Sequence, residues 1–184
     1  MTYVALLRGI NVGGSNKVNM KELKVAFEEA GMAAVRTYIN SGNVVFQTNL
    51  RSQARLGKAL EEAIAERFGL AIRVALRDVN TMRKLVGSMP AEWRDDQTMR
   101  CYVMFLLPEA DNPSVVRQLT FKPDIEDVFY VSGAVVWRVD RKNLTKSGMM
   151  KLTASPLYKQ MTIRNCNTVR KLLQLMESGP RPPG

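Results

Sequence analysis

A loop with three glycines, two asparagines, an arginine and a lysine, residues 8–17, has the residue types best suited to hold an anion. Glycine and asparagine adopt left-handed backbone conformations that can turn successive N–H groups towards one point, and basic side chains add positive charge. An apolar run precedes the loop and an amphipathic segment follows it, so it should join a buried strand to a helix N-terminus. We predict an anion pocket that uses Arg8, Gly9, Asn11, Gly13, Gly14, Asn16 and Lys17.

A second polar turn, residues 40–43, is expected to lie beside this loop. The chain around it reads as strand, helix, strand, strand, helix, strand, the ferredoxin-like order. In that arrangement the first and third strands are antiparallel neighbours, so the end of one lies beside the start of the other. We therefore expect Asn40, Ser41 and Asn43 to complete the pocket.

The loop does not match a known nucleotide-binding motif. Gly9 and Gly14 have the spacing of a P-loop, but Ser15 follows Gly14 where that motif requires lysine. No G-x-G-x-x-G run is present. The alternative interpretation is that the glycines and asparagines serve only to make tight turns.

Positive charge is concentrated at the C-terminal end of the chain. The net charge is +10, and the residues from Arg138 onwards carry ten lysines and arginines against Asp140 and Glu177, a balance of +8. Such asymmetry indicates a partner with negative charge, such as nucleic acid, a phosphorylated ligand or an anionic surface. The alternative is a solubilising surface. Within this region we predict that Lys146, Arg164 and Asn165 contact the ligand.

Composition excludes several kinds of catalytic site. The chain has no histidine, which rules out Ser-His and Cys-His catalysis and histidine metal ligands. The two cysteines, Cys101 and Cys166, lack metal-site spacing and form no disulfide framework. Cys101 lies in a predicted strand and is interpreted as a buried, inert thiol. We assign no catalytic residue, metal or cofactor.

Nothing in the sequence predicts a membrane segment or a secretory signal. No apolar run approaches the roughly 18 residues that a membrane span needs. The N-terminus has no basic region before its apolar run, which reaches Arg8 too soon for a signal peptide. We therefore predict a cytoplasmic protein that does not bind membranes.

The predicted elements of the first lobe follow from apolar periodicity. Leu56, Leu60, Ile64 and Phe68 recur every fourth residue, which is typical of one face of a helix. Asn19 is expected to cap the preceding helix, with Glu22 as its capping-box partner. The predicted strands are 4–10, 35–39, 44–48 and 71–76, and the predicted helices are 20–30 and 51–68.

The second lobe repeats this order of elements and adds a C-terminal helix, for which Asn167 is the expected cap. Its predicted strands are 100–107, 126–131, 134–139 and 160–164, with short helices at 113–119 and 145–152. The predicted division is a first lobe at 1–78, a connecting helix and linker at 79–98, a second lobe at 99–179 and a disordered tail at 180–184. The predicted fold is thus α+β, with two ferredoxin-like subdomains.

Short sequence matches between the lobes indicate a duplication. Residues 41–46 (SGNVVF) match residues 132–137 (SGAVVW) at an offset of 91, and residues 3–7 resemble residues 102–106 at an offset of 99. The first lobe therefore has eight more residues between its first strand and its hairpin. We place this addition in the loop at 11–18.

Three motifs together resemble the domain-of-unknown-function family 1697 of small, mostly bacterial proteins. They are ALLRGINVGGSNKVNM at the start, TYINSGNVVF after it and TIRNCNTVRKLL near the end. The resemblance implies two α+β subdomains of ferredoxin-like character and implies no activity. The family usually has proline where this chain has Asn19, and often tryptophan where it has Cys166.

Three functions are open at this point. The first is a module that binds a phosphate-bearing ligand, either nucleic acid or a nucleotide. The second is an enzyme in which Arg8 and Lys17 clamp a small phosphorylated substrate while Asn11, Ser41 and Asn43 orient it, although no general base is evident. The third is a scaffold that binds a protein partner. An RNA-recognition sheet is disfavoured because its paired aromatic residues are missing.

Overall fold

The structure, a computed structural model, describes residues 1–14 and 16–179. Ser15 and the predicted tail at 180–184 lie outside the described residues. The chain forms two compact α+β units, one of residues 1–79 with residues 172–179, and one of Asn80–Lys171. Each contains a four-stranded antiparallel sheet.

The first unit has the strand order β2-β3-β1-β4, with β1 in the middle paired to β3 and β4. Its strands are β1 Thr2–Leu7, β2 Ala33–Tyr38, β3 Asn43–Gln47 and β4 Val74–Asp78, and its helices are α1 Met20–Glu29 and α2 Gln53–Phe68. β1 ends three residues earlier than predicted because Gly9 turns the chain with a φ of 65°. The two helices follow β1 and β3, as the sequence predicts.

The core of the first unit lies between the sheet and these two helices. Leu56, Leu60 and Ile64 of α2 are fully buried, as their fourfold spacing predicts. Phe27 of α1 meets Phe46 of β3 edge to face, with ring centroids 5.6 Å apart. Burial of large apolar side chains such as these is the main source of stability for the unit.

The predicted cap of α1 is confirmed, but the predicted capping box is wrong. The side-chain oxygen of Asn19 accepts hydrogen bonds from the N–H groups of Lys21 and Glu22 at 2.9 and 3.3 Å. The carboxylate of Glu22 instead accepts from Arg67 of α2 at 2.6 Å. The ion pair therefore ties the first turn of α1 to the end of α2.

The second unit repeats the strand order as β6-β7-β5-β8, with β5 in the middle. Its strands are β5 Met99–Leu106, β6 Glu126–Val131, β7 Ala134–Asp140 and β8 Met161–Asn165. Helix α3, Val79–Ser88, precedes these strands, and helix α4, Cys166–Glu177, begins in this unit and belongs to the first unit from Leu172. The hairpin of β6 and β7 turns at Gly133, as its Ser-Gly sequence predicts.

The predicted helical stretch at 145–152 is helical, but it is divided between two separate short helices. Short 3-10 helices occupy this region, at Arg141–Lys146, Gly148–Ala154 and Pro156–Gln160. The hydroxyls of Ser147 and Ser155 each accept from the N–H two residues ahead, at 3.1 and 3.2 Å, which starts a new short helix at each serine. The predicted helix near 113–119 is likewise a 3-10 helix, Pro113–Gln118.

The C-terminal helix α4 differs from the prediction at both ends. Its cap is Asn165, whose oxygen accepts from the N–H of Thr168 at 2.7 Å, and the expected cap Asn167 instead bonds the carbonyl of Asp95 at 2.9 Å. At the other end, Arg36 of β2 donates to Ser178 Oγ at 3.2 Å. The end of the helix therefore packs with the first unit, whereas the predicted lobes assigned it wholly to the second.

Among the described residues, no helix is both long enough and apolar enough to cross a membrane.

Candidate functional site

The glycine-rich loop and the 40–43 turn meet at one edge of the first sheet, as the antiparallel pairing of β1 and β3 predicts. Leu6 lies opposite Asn43 in the ladder, and the Leu7 N–H donates to the Gly42 carbonyl at 2.8 Å. Beyond the strands, Asn11 Nδ2 donates to the carbonyl of Asn40 at 2.8 Å. This bond joins the loop directly to the turn.

Two asparagines in left-handed conformations, Asn11 and Asn16, close the loop on itself. The side chain of Asn11 donates to the Val18 carbonyl at 3.0 Å and accepts from the Val18 N–H at 2.9 Å. Asn16 Nδ2 donates to the Gly9 carbonyl at 3.0 Å. These amides were predicted to contact a ligand. In the structure they fix the shape of the loop.

The turn is braced in the same way. Asn43 is fully buried and its Nδ2 donates to the Tyr38 carbonyl at 3.0 Å and to Ser41 Oγ at 2.9 Å. Ile39, which lies between Tyr38 and Ser41 in sequence, has a φ of 49°, a left-handed conformation that is costly for a β-branched residue. Its side chain is half exposed. Backbone strain of this kind is concentrated at functional sites.

A groove with a volume of about 680 Å³ opens beside the loop, and we call it the loop groove. The residues that line it are Asn11, Gly14, Lys17, Val18, Asn19, Met20, Lys21 and Asn40. Four of these were predicted as site residues. The others come from the first turn of α1 and the residues before it, and the predicted helix start at Met20 was the signal that could have included them.

The lining of the loop groove is electropositive. Lys17 and Lys21 are both exposed, and within the part of the chain that the structure describes neither forms an ion pair. The N-terminus of α1 adds the positive end of its helix dipole. Since Asn19 already accepts from the first free N–H groups of the helix, an anion would contact chiefly the two ammonium groups. No carboxylate lies among the lining residues described.

The remaining predicted loop residues lie outside the groove lining. The Arg8 N–H donates to the Arg73 carbonyl at 3.0 Å and its side chain is partly buried. Gly9 and Gly13 have φ values of 65° and 59°, which glycine adopts without strain. In the structure, Arg8, Gly9 and Gly13 determine the path of the loop backbone.

Arg164, predicted to contact a ligand, is 7% exposed in β8. Its Nη1 donates to Thr162 Oγ1 and to the Ile163 carbonyl, both at 2.8 Å. Burial lowers the pKa of Arg164 to about 10, because the charged guanidinium is partly removed from water. The structure therefore shows this arginine in contacts within the sheet.

The other two residues of the basic region that were predicted to contact a ligand, Lys146 and Asn165, belong to different elements. Asn165 caps α4 through its side-chain oxygen. Lys146 is exposed at the end of the 3-10 helix Arg141–Lys146. Of the three, Lys146 alone presents an exposed basic group to solvent.

A second cavity, of about 420 Å³, lies on one face of the second sheet beneath the 3-10 helices. Tyr102 and Trp137 stack in its wall with ring centroids 5.6 Å apart. Its lining also includes Arg100, Met104, Leu144, Met149, Met150, Leu152, Thr153, Tyr158 and Ile163. The sequence did not indicate that Tyr102 packs on Trp137, because Tyr102 lies in β5, far before the basic C-terminal region in the chain. This lining suits a flat, apolar group.

Glu126 is a buried carboxylate that binds four donors. It accepts from the N–H of Lys122 at 2.7 Å, Trp137 Nε1 at 2.8 Å and the N–H of Gly148 at 3.0 Å, and also from the hydroxyl of Ser147. Burial alone would raise the pKa of Glu126, but these hydrogen bonds prevail and hold it below the ordinary value. All four donors come from the protein, so this carboxylate has a structural role.

The structure places no group of three or more cysteine or acidic side chains where they could share a metal ion, as far as the described residues extend.

Comparison with known proteins identifies the family. The family model described as "Protein of unknown function (DUF1697)" matches residues 1–137. The solved structure of the conserved bacterial protein SP0830 from Streptococcus pneumoniae is similar, with 30% identity and a TM-score of 0.82 over 96% of this chain and 98% of that one. No match was found among the curated proteins. Because the family model covers well over half of the sequence, the chain belongs to the DUF1697 family of proteins of unknown function.

Proposed function

We propose that the loop groove binds a phosphate-bearing ligand, either a nucleotide or a nucleic-acid strand. The observation that carries this proposal is the lining itself: Lys17 and Lys21 flank the start of α1, and the described lining residues include no carboxylate. Two ammonium groups and a helix dipole act on the same space, and this combination favours a doubly charged anion over a neutral ligand.

The loop groove is also preorganised. Three hydrogen bonds of the Asn11 side chain hold the loop to Val18 and to the carbonyl of Asn40, so little ordering is needed on binding. The volume of about 680 Å³ is in the range of small-molecule sites. Val12 and Ile39, next in sequence to lining residues, are 68% and 50% exposed and offer apolar surface for a sugar or a base.

Binding is favoured over catalysis by the chemistry of the lining. An enzyme that acts on a small phosphorylated substrate would need a general acid or base within reach of the phosphate. The described lining residues offer amides, lysines and apolar groups, and the chain contains no histidine. The net charge of +10 would draw a polyanion towards the protein from any direction.

The test is a binding titration with a fluorescein-labelled single-stranded 20-mer at several salt concentrations. The variant is Lys17→Ala with Lys21→Ala. The control is Lys24→Ala with Lys58→Ala, which removes the same charge from two exposed lysines that pair with Glu28 and Glu62. We expect the groove variant to lose about tenfold or more in affinity and about 1.4 units of the log–log salt slope, since each contact with a single strand contributes about 0.7.

Equal losses in both variants would show that charge alone attracts the strand and would overturn the proposal. A parallel competition with ATP and with inorganic pyrophosphate separates the two ligand classes. Displacement of the 20-mer by ATP at submillimolar concentration indicates a nucleotide site. Displacement only by unlabelled strand indicates a nucleic-acid site.

We also propose that the two units are ferredoxin-like and arose by duplication. Each unit has a pair of stacked aromatic rings, and the two pairs are related by the offsets of 99 and 91 found in the sequence. This repetition supports the duplication. Tyr3 lies opposite Phe46 with ring centroids 6.1 Å apart, and Tyr102 lies opposite Trp137 at 5.6 Å.

A backbone hydrogen bond repeats at the same offsets. The Leu7 N–H donates to the Gly42 carbonyl at 2.8 Å, and the Leu106 N–H donates to the Gly133 carbonyl at 3.0 Å. Superposition of the strands of the two units tests the proposal. β1 should align on β5 at the offset of 99 and β3 on β7 at 91, and the ladders then require 93 for β2 on β6 and 87 for β4 on β8. A best fit at other offsets would contradict the proposal.

A further inference from the structure

Cys101 and Cys166 face each other across two antiparallel strands. β5 and β8 pair with Tyr102 opposite Asn165 and Val103 opposite Arg164. One residue further along both strands, Cys101 lies opposite Cys166, just past the end of the ladder. Opposed residues in antiparallel strands have Cα atoms about 4.5–5.5 Å apart, which is within the range of about 4.4–6.8 Å that a disulfide needs.

The two side chains lie on the same side of the sheet. Directly opposed side chains point to the same face, and Cys101 and Cys166 are close enough for each thiol to shift the pKa of the other. Both cysteines are buried and free. The backbone would therefore need little movement for a sulfur–sulfur bond to form.

The surroundings make Cys166 the more reactive of the two. It is the first residue of α4, where the helix dipole stabilises a thiolate, and Arg170 lies one turn further on. Interaction with the Cys101 thiol lowers the pKa of Cys166 against the opposing effect of burial, and the charge of Arg170 acts in the same direction as Cys101. The interaction with Cys166 and burial raise the pKa of Cys101. One cysteine can thus act as the nucleophile while the other keeps its proton.

A short segment, residues 90–95, covers the pair and is held by side chains of α4. Arg170 donates to the Pro90 carbonyl at 2.8 Å and also to the Trp93 carbonyl, which lies 3.6 Å from Cys166 Sγ. Asn167 bonds both the carbonyl and the N–H of Asp95, at 2.9 and 3.3 Å. The segment is also held by the ion pair of Asp95 with Arg100 at 3.2 Å and by Trp93 against Phe129, so a small oxidant reaches the thiols through a local opening of residues 90–95.

We propose that Cys101 and Cys166 form a redox-active pair that a peroxide closes to a disulfide. The Cys166 thiolate attacks one oxygen of hydrogen peroxide, the O–O bond breaks, and hydroxide leaves and takes a proton to become water. Cys101 sulfur then attacks the sulfenic sulfur of Cys166, the S–O bond breaks, and the leaving hydroxide takes the Cys101 proton. Two thiols lose two electrons, and one peroxide becomes two waters.

The test oxidises the folded full-length chain with a small excess of hydrogen peroxide. Titratable thiols, counted after denaturation, should fall from two to none, and the intact mass should fall by about 2 Da. A non-reducing peptide map should link Cys101 to Cys166, and dithiothreitol should restore both thiols. The Asn167→Ala variant, which releases one anchor of the covering segment, should oxidise several times faster.

Single-cysteine variants assign the roles. In Cys101→Ser, peroxide should leave a sulfenic acid on Cys166 that dimedone traps, whereas Cys101 in Cys166→Ser should stay a thiol. Wild-type protein that keeps both thiols under peroxide while folded, or that forms only disulfides between chains, overturns the proposal whether or not the variants fold. These readouts are independent of the loop groove, so the two proposals fail separately.

Discussion

Gly42 lies where the 40–43 turn packs onto the end of β1, and the position has room for hydrogen only. A Cβ at this position would lie 2.8 Å from both Ile10 Cδ1 and Leu7 Cβ, in a backbone with a φ of 76°. We predict that Gly42→Ala lowers the free energy of unfolding by about 2–4 kcal/mol, because overpacking adds to left-handed strain.

The matched control for this prediction is Gly31→Ala, which has a similar φ of 84° but no atom within 4 Å of the added Cβ. Gly31→Ala should lower the free energy of unfolding only by the backbone strain, about 1 kcal/mol. Urea denaturation measures both values. Equal costs at the two glycines would mean that the contact with Leu7 and Ile10 relaxes freely.

Glu126 provides a prediction about the buried polar network of the second unit. Glu126→Gln replaces a carboxylate that accepts four hydrogen bonds by an amide that must turn an N–H₂ group towards donors. We expect a loss of about 2–4 kcal/mol in the free energy of unfolding at pH 7. Glu62→Gln, in an exposed ion pair with Lys58, should change it by less than about 0.5 kcal/mol.

The same residue has a pH signature. Because the native pKa of Glu126 is below its ordinary value, the unfolded state binds more protons than the native state as the solution is acidified. Its contribution is therefore complete above the ordinary carboxyl pKa of about 4.3 and is lost as pH falls through the native value. Urea midpoints from pH 7 to pH 3 should show the gap between wild type and Glu126→Gln closing at the acid end.

At the scale of elements, the cap of α4 shows a choice that sequence could not make. Asn165 and Asn167 are the same residue type, two positions apart, and both precede the apolar face of the helix. Asn167 is held by the backbone of Asp95, a contact 72 residues away in sequence, which leaves Asn165 as the cap. Local pattern cannot detect such a competitor.

This assignment predicts that Asn165→Ala lowers the free energy of unfolding by about 1 kcal/mol, while Asn165→Asp, which keeps the capping oxygen, has a much smaller effect. Thermal or urea denaturation of the two variants is the measurement. If Asn165→Asp is as damaging as Asn165→Ala, capping is not what Asn165 contributes.

The 3-10 helices of the second unit have a sequence signal for their division into separate short helices, which the predicted single stretch at 145–152 did not include. Ser147, Ser155 and Pro156 interrupt the stretch, and serine hydroxyls compete for backbone N–H groups in short helices. Gly148 is also fixed by close packing, since a Cβ there would lie 2.5 Å from the Thr120 carbonyl oxygen. That second constraint arises from chain 28 residues away and could not have been foreseen.

At the scale of the whole molecule, charge and structure divide the chain in different ways. The excess of positive charge lies from Arg138 onwards, but part of it is used internally: Arg164 is buried in β8 and Arg170 binds the backbone of residues 90–93. The first unit has a smaller excess of positive charge, but its loop groove places basic side chains beside a loop whose shape is fixed by hydrogen bonds. A count of charges along the sequence therefore overstates the free positive surface of the second unit.

The sequence by itself determined the order of strands and helices, the N-cap of α1, both hairpin turns and the meeting of the loop with the 40–43 turn. These features depend on periodicity, turn residues and strand pairing, which are local or follow from topology. Tertiary structure decided that the amides of Asn11 and Asn16 brace the loop and that Lys21 lines the groove. It also decided that Cys101 and Cys166 meet. Each of these outcomes depends on which groups the fold brings next to a side chain, and sequence spacing alone does not contain that information.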